Sequence, residues 1–359
     1  MRKEIEAQIK EKIEANEERK IHETTEQLNE KRNNYNVMWK IKKKMQKPQS
    51  CAFIIKDTEG NEMRKPEDIK KQISKYYEEL YKPNQVKEGF EKYTEELENM
   101  IQLCWEAKDT EIEEITEKEI LDIIEDLETD KATGPDKISN EMIIRGGKSM
   151  KESIIRMMKI IYNTEKIPED WNKAFIKNTY KGKGSKKIMG NYRGLILNSH
   201  IPKMFESIIG KKEREHLQDM SEYQSGARKG KSTREHHLTI RAIKEAAKEK
   251  KEEITAVYFD IKKCFDKMVL KEAMKELWMK GVKGKHWRLI YKLNSNNILI
   301  PTTEIGECSQ IKVKEMIKQG SVLGSVISAI TILTNKNNES MRKPMVHGKY
   351  KNQPPAVAR

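Results

Sequence analysis

Apolar residues recur every three or four positions through most of the chain and every second position in a few short runs. Those two periods predict helices interrupted by a small number of strands. In the first 47 residues, Ile5, Ile9 and Ile13 form a narrow apolar stripe on an otherwise charged helix. Cys51-Ala-Phe-Ile-Ile-Lys-Asp57 reads as a short strand and Thr58-Glu-Gly-Asn61 as a turn. Pro66 then opens a helix with Ile69, Ile73, Tyr77 and Leu80 on one face. From about 83 to 110 the pattern fades to a linker with a helix in it. Thr116-x-x-Glu119 is a capping box before a helix that aligns Ile120, Ile123, Ile124 and Leu127. A Gly134-Pro-Asp136 turn, a helix from Glu141 and another over about 149–163 follow.

The second half is more mixed. Two strand-like runs, Ala174–Tyr180 and Tyr192–Asn198, flank Lys181-Gly-Lys-Gly-Ser-Lys-Lys187. Ser199 caps a helix to about His216, and Ser232-x-x-Glu235 has the form of a second capping box. Ile254-Thr-Ala-Val-Tyr-Phe-Asp260 predicts a buried strand ending in a carboxylate. An amphipathic helix over Val269–Val282 and a helical Trp287–Leu293 come next. Alternating residues then predict a hairpin between Ile298–Ile311 and the run from Ile311 to Ile317, with Gln319-Gly320 at a strand-to-helix junction. Past about Ile330 no period survives, and residues 331–359 are expected to be a disordered tail.

Charge changes the picture more than size does. The chain has 359 residues, enough for two or three domains, and 71 Lys and Arg against 57 Asp and Glu, a net charge of +14. That excess favours a polyanionic partner such as nucleic acid, although highly charged solvated helix surfaces account for it equally well. Four cysteines (Cys51, Cys104, Cys264, Cys308) lie far apart without CxxC spacing, which argues against disulfides and zinc and fits a reducing compartment. The N-terminus lacks the apolar core of a signal peptide. The longest apolar run, near Val322–Leu333, is too short to span a bilayer. The expectation is a soluble intracellular protein, cytoplasmic or nuclear, with no membrane contact.

Several segments are candidates for chemistry. A hairpin tipped with Gly and Lys can curl over a triphosphate, its amides and ammonium groups facing the anion; the same composition also makes an ordinary exposed basic loop. Tyr223-Gln-Ser-Gly-Ala-Arg-Lys-Gly-Lys-Ser-Thr233 is a second basic, glycine-containing loop ahead of a helix. His236 and His237 have no ligand partner at matching spacing and read as surface or packing residues.

In this order, the blocks resemble the reverse transcriptases of non-LTR (LINE-type) retrotransposons. FDIKKCFDKMVL, from Phe259, is similar to their motif A and DKATGPDKISNEMI, from Asp130, to the opening block of the fingers. YKGKG with NYRGLIL is similar to the finger strands, YQSGARKGKST to a template-contacting block, and Lys318-Gln-Gly-Ser to motif B. The resemblance covers roughly residues 50–330. It implies an α/β (α+β) fold: a helical extension over 1–47, a strand-turn-helix and linker over 48–110, right-hand polymerase fingers over 111–250, and a partial palm over 251–330. It also implies Asp260 as a catalytic carboxylate holding Mg2+ with the Ile261 carbonyl. Lys181, Lys183, Arg193, Phe265, Gln319 and Gly320 would face the incoming deoxynucleotide triphosphate, and Arg228, Lys229 and Lys231 the phosphates of an RNA or DNA template-primer.

Departures accompany the match. Asn178-Thr179 replaces Pro with an apolar residue, Ala227 stands where Phe is usual, and Leu323-Gly-Ser replaces Leu-Ser-Pro. No Asp-Asp dipeptide occurs, and no Asp follows Asp266. Two divalent ions need carboxylates from more than one element, so the expectation is a domain truncated before its Asp-Asp motif and thumb. It would keep template and nucleotide binding and be catalytically incomplete alone. An active RNA-directed DNA polymerase, a nucleic-acid-binding remnant and a basic helical scaffold are the three rival readings.

Overall fold

The computed structural model describes residues 54–57, 60–82, 91–107, 113–218, 220, 224–228, 230–258 and 264–334. The expected helix over 1–47, the greater part of the expected tail, and Asp260, Ile261 and Lys229 lie outside them.

In chain order, β1 (Ile55–Lys56) and β2 (Glu62–Met63) form a small antiparallel hairpin. α1 (Pro66–Leu80) follows, with Ile69, Ile73, Tyr77 and Leu80 all buried, as its spacing predicts. α2 (Glu91–Glu106) is the helix expected within 83–110, and it is more than a linker: Ile101 and Cys104 belong to the main core, because α2 packs against two later helices. α3 (Glu117–Glu125) starts with the predicted capping box, both halves of which form between Thr116 and Glu119. Then come α4 (Asn140–Arg145), α5 (Lys148–Thr164), β3 (Lys173–Tyr180), β4 (Tyr192–Asn198), α6 (His200–Lys212) and α7 (Arg214–Gln218). α8 (Thr233–Lys250), α9 (Cys264–Lys267), α10 (Leu270–Met279) and α11 (Gly284–Leu293) lead to β5 (Ser295–Thr303), β6 (Gly306–Glu307), β7 (Ile311–Glu315) and α12 (Gly324–Thr334). α12 continues past Ile330, and Thr331 is buried in it, which corrects the expectation of a disordered tail from 331 for residues 331–334.

The class is α+β: many helices and one mixed sheet in the order β4-β3-β5-β6, with β7 also on β5. β3 pairs antiparallel with β4 (Ile176 opposite Ile196) and parallel with β5 (Ala174 opposite Leu299). Alternation explains the burial: Ala174, Ile176 and Asn178 point inward while Lys177 between them is exposed. α1 packs against β5 and β7, and the Tyr77 hydroxyl donates to Asn178 Oδ1 at 2.5 Å. A second, larger core lies among the helices. It joins Ile120, Met158, Phe205, Met274 and Trp287, whose indole donates to the Met274 carbonyl at 2.8 Å.

One expectation fails. Residues 252–258 form no strand and are exposed, Val257 at 68% and Tyr258 at 77%. A strand must pair its amides with a neighbour, and among the described residues no strand runs beside this segment. α8, just before it, buries no residue at all. Apolar content made the segment fit for a strand, but a partner edge is also required.

Candidate nucleotide and nucleic-acid interface

The loop between β3 and β4 is the best-defined part of the site. Gly182 and Gly184 both have φ +81°, a left-handed conformation that suits glycine. The loop then closes on itself. Lys181 N donates to the Asn191 carbonyl at 2.9 Å, Asn191 Nδ2 to the Ser185 carbonyl at 2.8 Å, and the Tyr192 hydroxyl to the Lys186 carbonyl at 2.8 Å. The β1–β2 hairpin braces it from outside: Lys56 N donates to the Lys187 carbonyl at 2.7 Å, and Lys187 Nζ to Glu62 at 2.5 Å. The hydrogen bonds from Lys187 and Arg64 hold the Glu62 carboxyl below its ordinary range.

Within this loop the two candidate lysines differ. Lys181 Nζ donates to the Gly190 carbonyl at 2.7 Å, so its ammonium helps build the loop. Lys183 is exposed at the tip. Arg193, opposite Thr179 in the ladder, is exposed on the outer face of the sheet.

Gln319 and Gly320 are brought to the same hairpin. Gly320 has φ +109°, and a Cβ there would stand 2.7 Å from the Ile196 carbonyl of β4. Only glycine meets both conditions without strain. A buried polar network fixes this turn. Glu206 of α6, itself buried, accepts from the Ser321 hydroxyl and the Val322 amide, each at 2.7 Å. Lys318, also buried, donates to Asn172 Oδ1 at 3.2 Å. Burial raises the Glu206 carboxyl, with Lys318 and the two donors pulling the other way. Burial pushes Lys318 down to about 8, with Glu206 opposing it.

Glu206, Lys318 and Asn172 are absent from the sequence-derived candidates. Glu206 carried a signal: it falls among Pro202, Phe205 and Ile209 on the apolar side of α6, where an unpartnered carboxylate does not belong.

The remaining candidates lie elsewhere or outside the described residues. Phe265 sits in α9, half-buried against the helical core, and its neighbour Asp266 accepts from the Tyr81 hydroxyl at 3.3 Å. Arg228 is half-buried in a loop where Ala227 takes φ +61°. Lys231 is exposed and pairs with Glu235 at 3.5 Å. That pairing corrects the second expected capping box: Ser232 does cap α8, accepting from Arg234 N, but Glu235 turns to Lys231. His236 and His237 are exposed, as expected of surface residues. Among the described residues no group of three or more His, Cys, Asp or Glu converges on a metal position. Nor, among the described residues, is any helix long and apolar enough to cross a membrane.

The β3–β4 loop, the Gln319–Gly320 turn and the basic loop before α8 all fall within one stretch that a family comparison recovers. Residues 180–343 match the reverse transcriptase (RNA-dependent DNA polymerase) family. No curated protein matches the chain. A reverse transcriptase domain acts in general on a nucleic-acid template and deoxynucleotide triphosphates, and the family typically uses Mg2+. The matched stretch begins at Tyr180, so it takes in the braced loop, β4 and the glycine turn but leaves β3 before it.

Proposed function

We propose that the chain is the fingers and partial palm of a non-LTR-type reverse transcriptase, which binds template and nucleotide phosphates but does not polymerise on its own. The observation that carries this reading is the docking of Gly320 against β4. It seats the Gln-Gly turn on the same hairpin that carries the glycine-lysine loop at its other end, two elements more than 130 residues apart in the chain. Lys183 in that loop and Arg193 at the start of β4 supply exposed positive charge. Arg228, Lys229 and Lys231 are proposed to hold template phosphates, and Phe265 and Gln319 to border the base. Asp260, with the Ile261 carbonyl, is proposed as one ligand of a Mg2+ ion. A two-metal centre needs further carboxylates, and no Asp follows Asp266 in this chain.

Two measurements test it. Fluorescence anisotropy with an RNA–DNA template-primer over a salt series should give a steep decline, log K falling by about 0.7–0.9 per phosphate contact. Replacing Arg228, Lys229 and Lys231 with Ala should flatten that slope by roughly 2. An unchanged slope would exclude the loop from the interface. Primer extension with Mg2+ or Mn2+ should give no product; product that vanishes in an Asp260→Ala control would show that this chain completes the metal centre after all.

A further inference from the structure

At the other edge of the sheet, a cleft of about 910 Å³ opens between β5, β7, α11 and the end of α5. That is near the upper end of ~300–1,000 Å³ for small-ligand sites. Trp105 and Tyr291 line it with their rings 5.6 Å apart, edge to face, and Tyr291 is backed by Trp287 in a stacked pair. Lys166, Lys312 and Lys314 are exposed along it. Of its two acids, Glu165 is already engaged: Arg288 Nε and Nη2 donate to its carboxylate at 2.9 and 2.6 Å, and Lys292 Nζ approaches at 3.4 Å. Glu169 remains at the rim, so cations outnumber uncompensated acids. Asn297, fully buried, also lines the cleft. Its Nδ2 donates to the Asn294 carbonyl, while its Oδ1 has no hydrogen-bond partner.

We propose that this cleft binds single-stranded nucleic acid, bases against Trp105 and Tyr291 and phosphates at Lys166, Lys312 and Lys314. Rings beside a row of cations are how proteins hold unpaired strands without reading sequence. An acidic peptide of Asp and Glu would use the lysines but offer the rings no flat partner, whereas bases stack on aromatic side chains.

The sheet register ties the cleft to the hairpin. Lys312 lies opposite Ile298, and Ile298 opposite Lys173. Lys173, Lys177 and Thr179 share a face by alternation, and Arg193 lies opposite Thr179. Arg193 and Lys312 therefore project from the same face at opposite edges, three strand spacings or roughly 14 Å across the sheet and six residues or roughly 20 Å along it, about 25 Å in all. A strand of several nucleotides spans that distance. The choice of nucleic acid as occupant rests on the proposed function; the cleft's rings and charges do not.

The test uses the full chain and a fluorescein-labelled ten-residue oligouridine. Lys166→Ala/Lys312→Ala/Lys314→Ala should weaken binding about tenfold or more at 0.1 M salt and lower the salt slope by roughly 2, at about 0.7 per phosphate for single strands. These lysines are exposed, so an unchanged Tm is expected; Lys292 is left in place because it holds Glu165. Oligouridine carrying 4-thiouridine should photocrosslink to peptides containing Trp105 or Tyr291. Unchanged affinity and slope, crosslinks only elsewhere, or equal competition by polyglutamate would each overturn the cleft. If Lys183→Ala/Arg193→Ala abolishes binding while the cleft variant keeps it, the cleft is overturned and the fingers reading stands. If the cleft variant loses binding while Arg228→Ala/Lys229→Ala/Lys231→Ala does not, the cleft stands and the template-loop assignment falls.

Discussion

The β3–β4 hairpin with its glycine turn, and the stretch from Gly230 to Tyr258, differ in how far their patterns are realised. Both carry a loop of glycine and lysine, and both contain apolar residues at regular spacing. In the first, every second residue of β3 finds a cover, the loop bonds to itself, and the turn beyond is held by Glu206. In the second, α8 forms but buries nothing, and Leu238, Ile243 and Val257 face outward. The lesson is that periodicity gives a segment its local conformation, while a second surface decides whether it is packed.

The largest effect should come from removing the support under the turn. Glu206→Ala leaves the Ser321 and Val322 donors unmatched and Lys318 without its nearby carboxylate. A loss of roughly 3–5 kcal/mol in urea unfolding is expected. Ile243→Ser on α8 should stay within about 0.5 kcal/mol, as at an ordinary surface position. A costly Ile243→Ser would mean that α8 is covered in solution.

A glycine pair sharpens the same contrast. Gly320→Ala combines a left-handed φ with a clash against the Ile196 carbonyl and should cost roughly 2–3 kcal/mol. Gly230 has φ +80° but open space around it, and its loop can relax, so Gly230→Ala should cost no more than about 1 kcal/mol. Equal costs would show that φ alone matters at both sites.

A further effect is a slope with pH. Lys318 has a folded value of about 8, below its ordinary 10.5. Between those values the unfolded chain binds more protons than the folded one, so stability from this group rises with pH across that window. Below about pH 8 the cost of burying the ammonium is present in full. Lys318→Met should remove the rise; chemical denaturation at intervals from pH 7.5 to 10.5 measures it, and an unchanged slope would rule Lys318 out as its source.

Much of the fold could be read from the chain because its signals are local. The Ile69-Ile73-Tyr77-Leu80 stripe, the Thr116 box and the alternation in β3, β4, β5 and β7 all lie within a single element or hairpin. What could not be read is non-local. The parallel pairing of β3 with β5 has no signature in either strand, and the helix expected between 83 and 110 gave no sign that it joins the core through Ile101 and Cys104. At the site, glycine and lysine marked the hairpin tip and the Gln319–Gly320 turn. The network beneath them depends on Asn172, Glu206 and Lys318, each of which looks ordinary in its own segment. The cleft is composed from four separate stretches, none with a motif of its own. The run ending at Tyr258 shows the opposite error, a strong local signal without a neighbouring strand.

The parallel pairing of β3 with β5 also has a consequence during synthesis. Asn178 and Thr302, hydrogen-bonded across those strands, are 124 residues apart. At roughly 5–20 residues per second, β5 leaves the ribosome some 6–25 s after β3. A β3–β4 hairpin forms in microseconds, so for that whole interval it presents an unpaired edge. Such an edge recruits other strands, and newly made chains are most vulnerable there before residue 295 emerges. Slowing translation between β4 and β5 should therefore lower the yield of soluble protein, while slowing it after β7 should not.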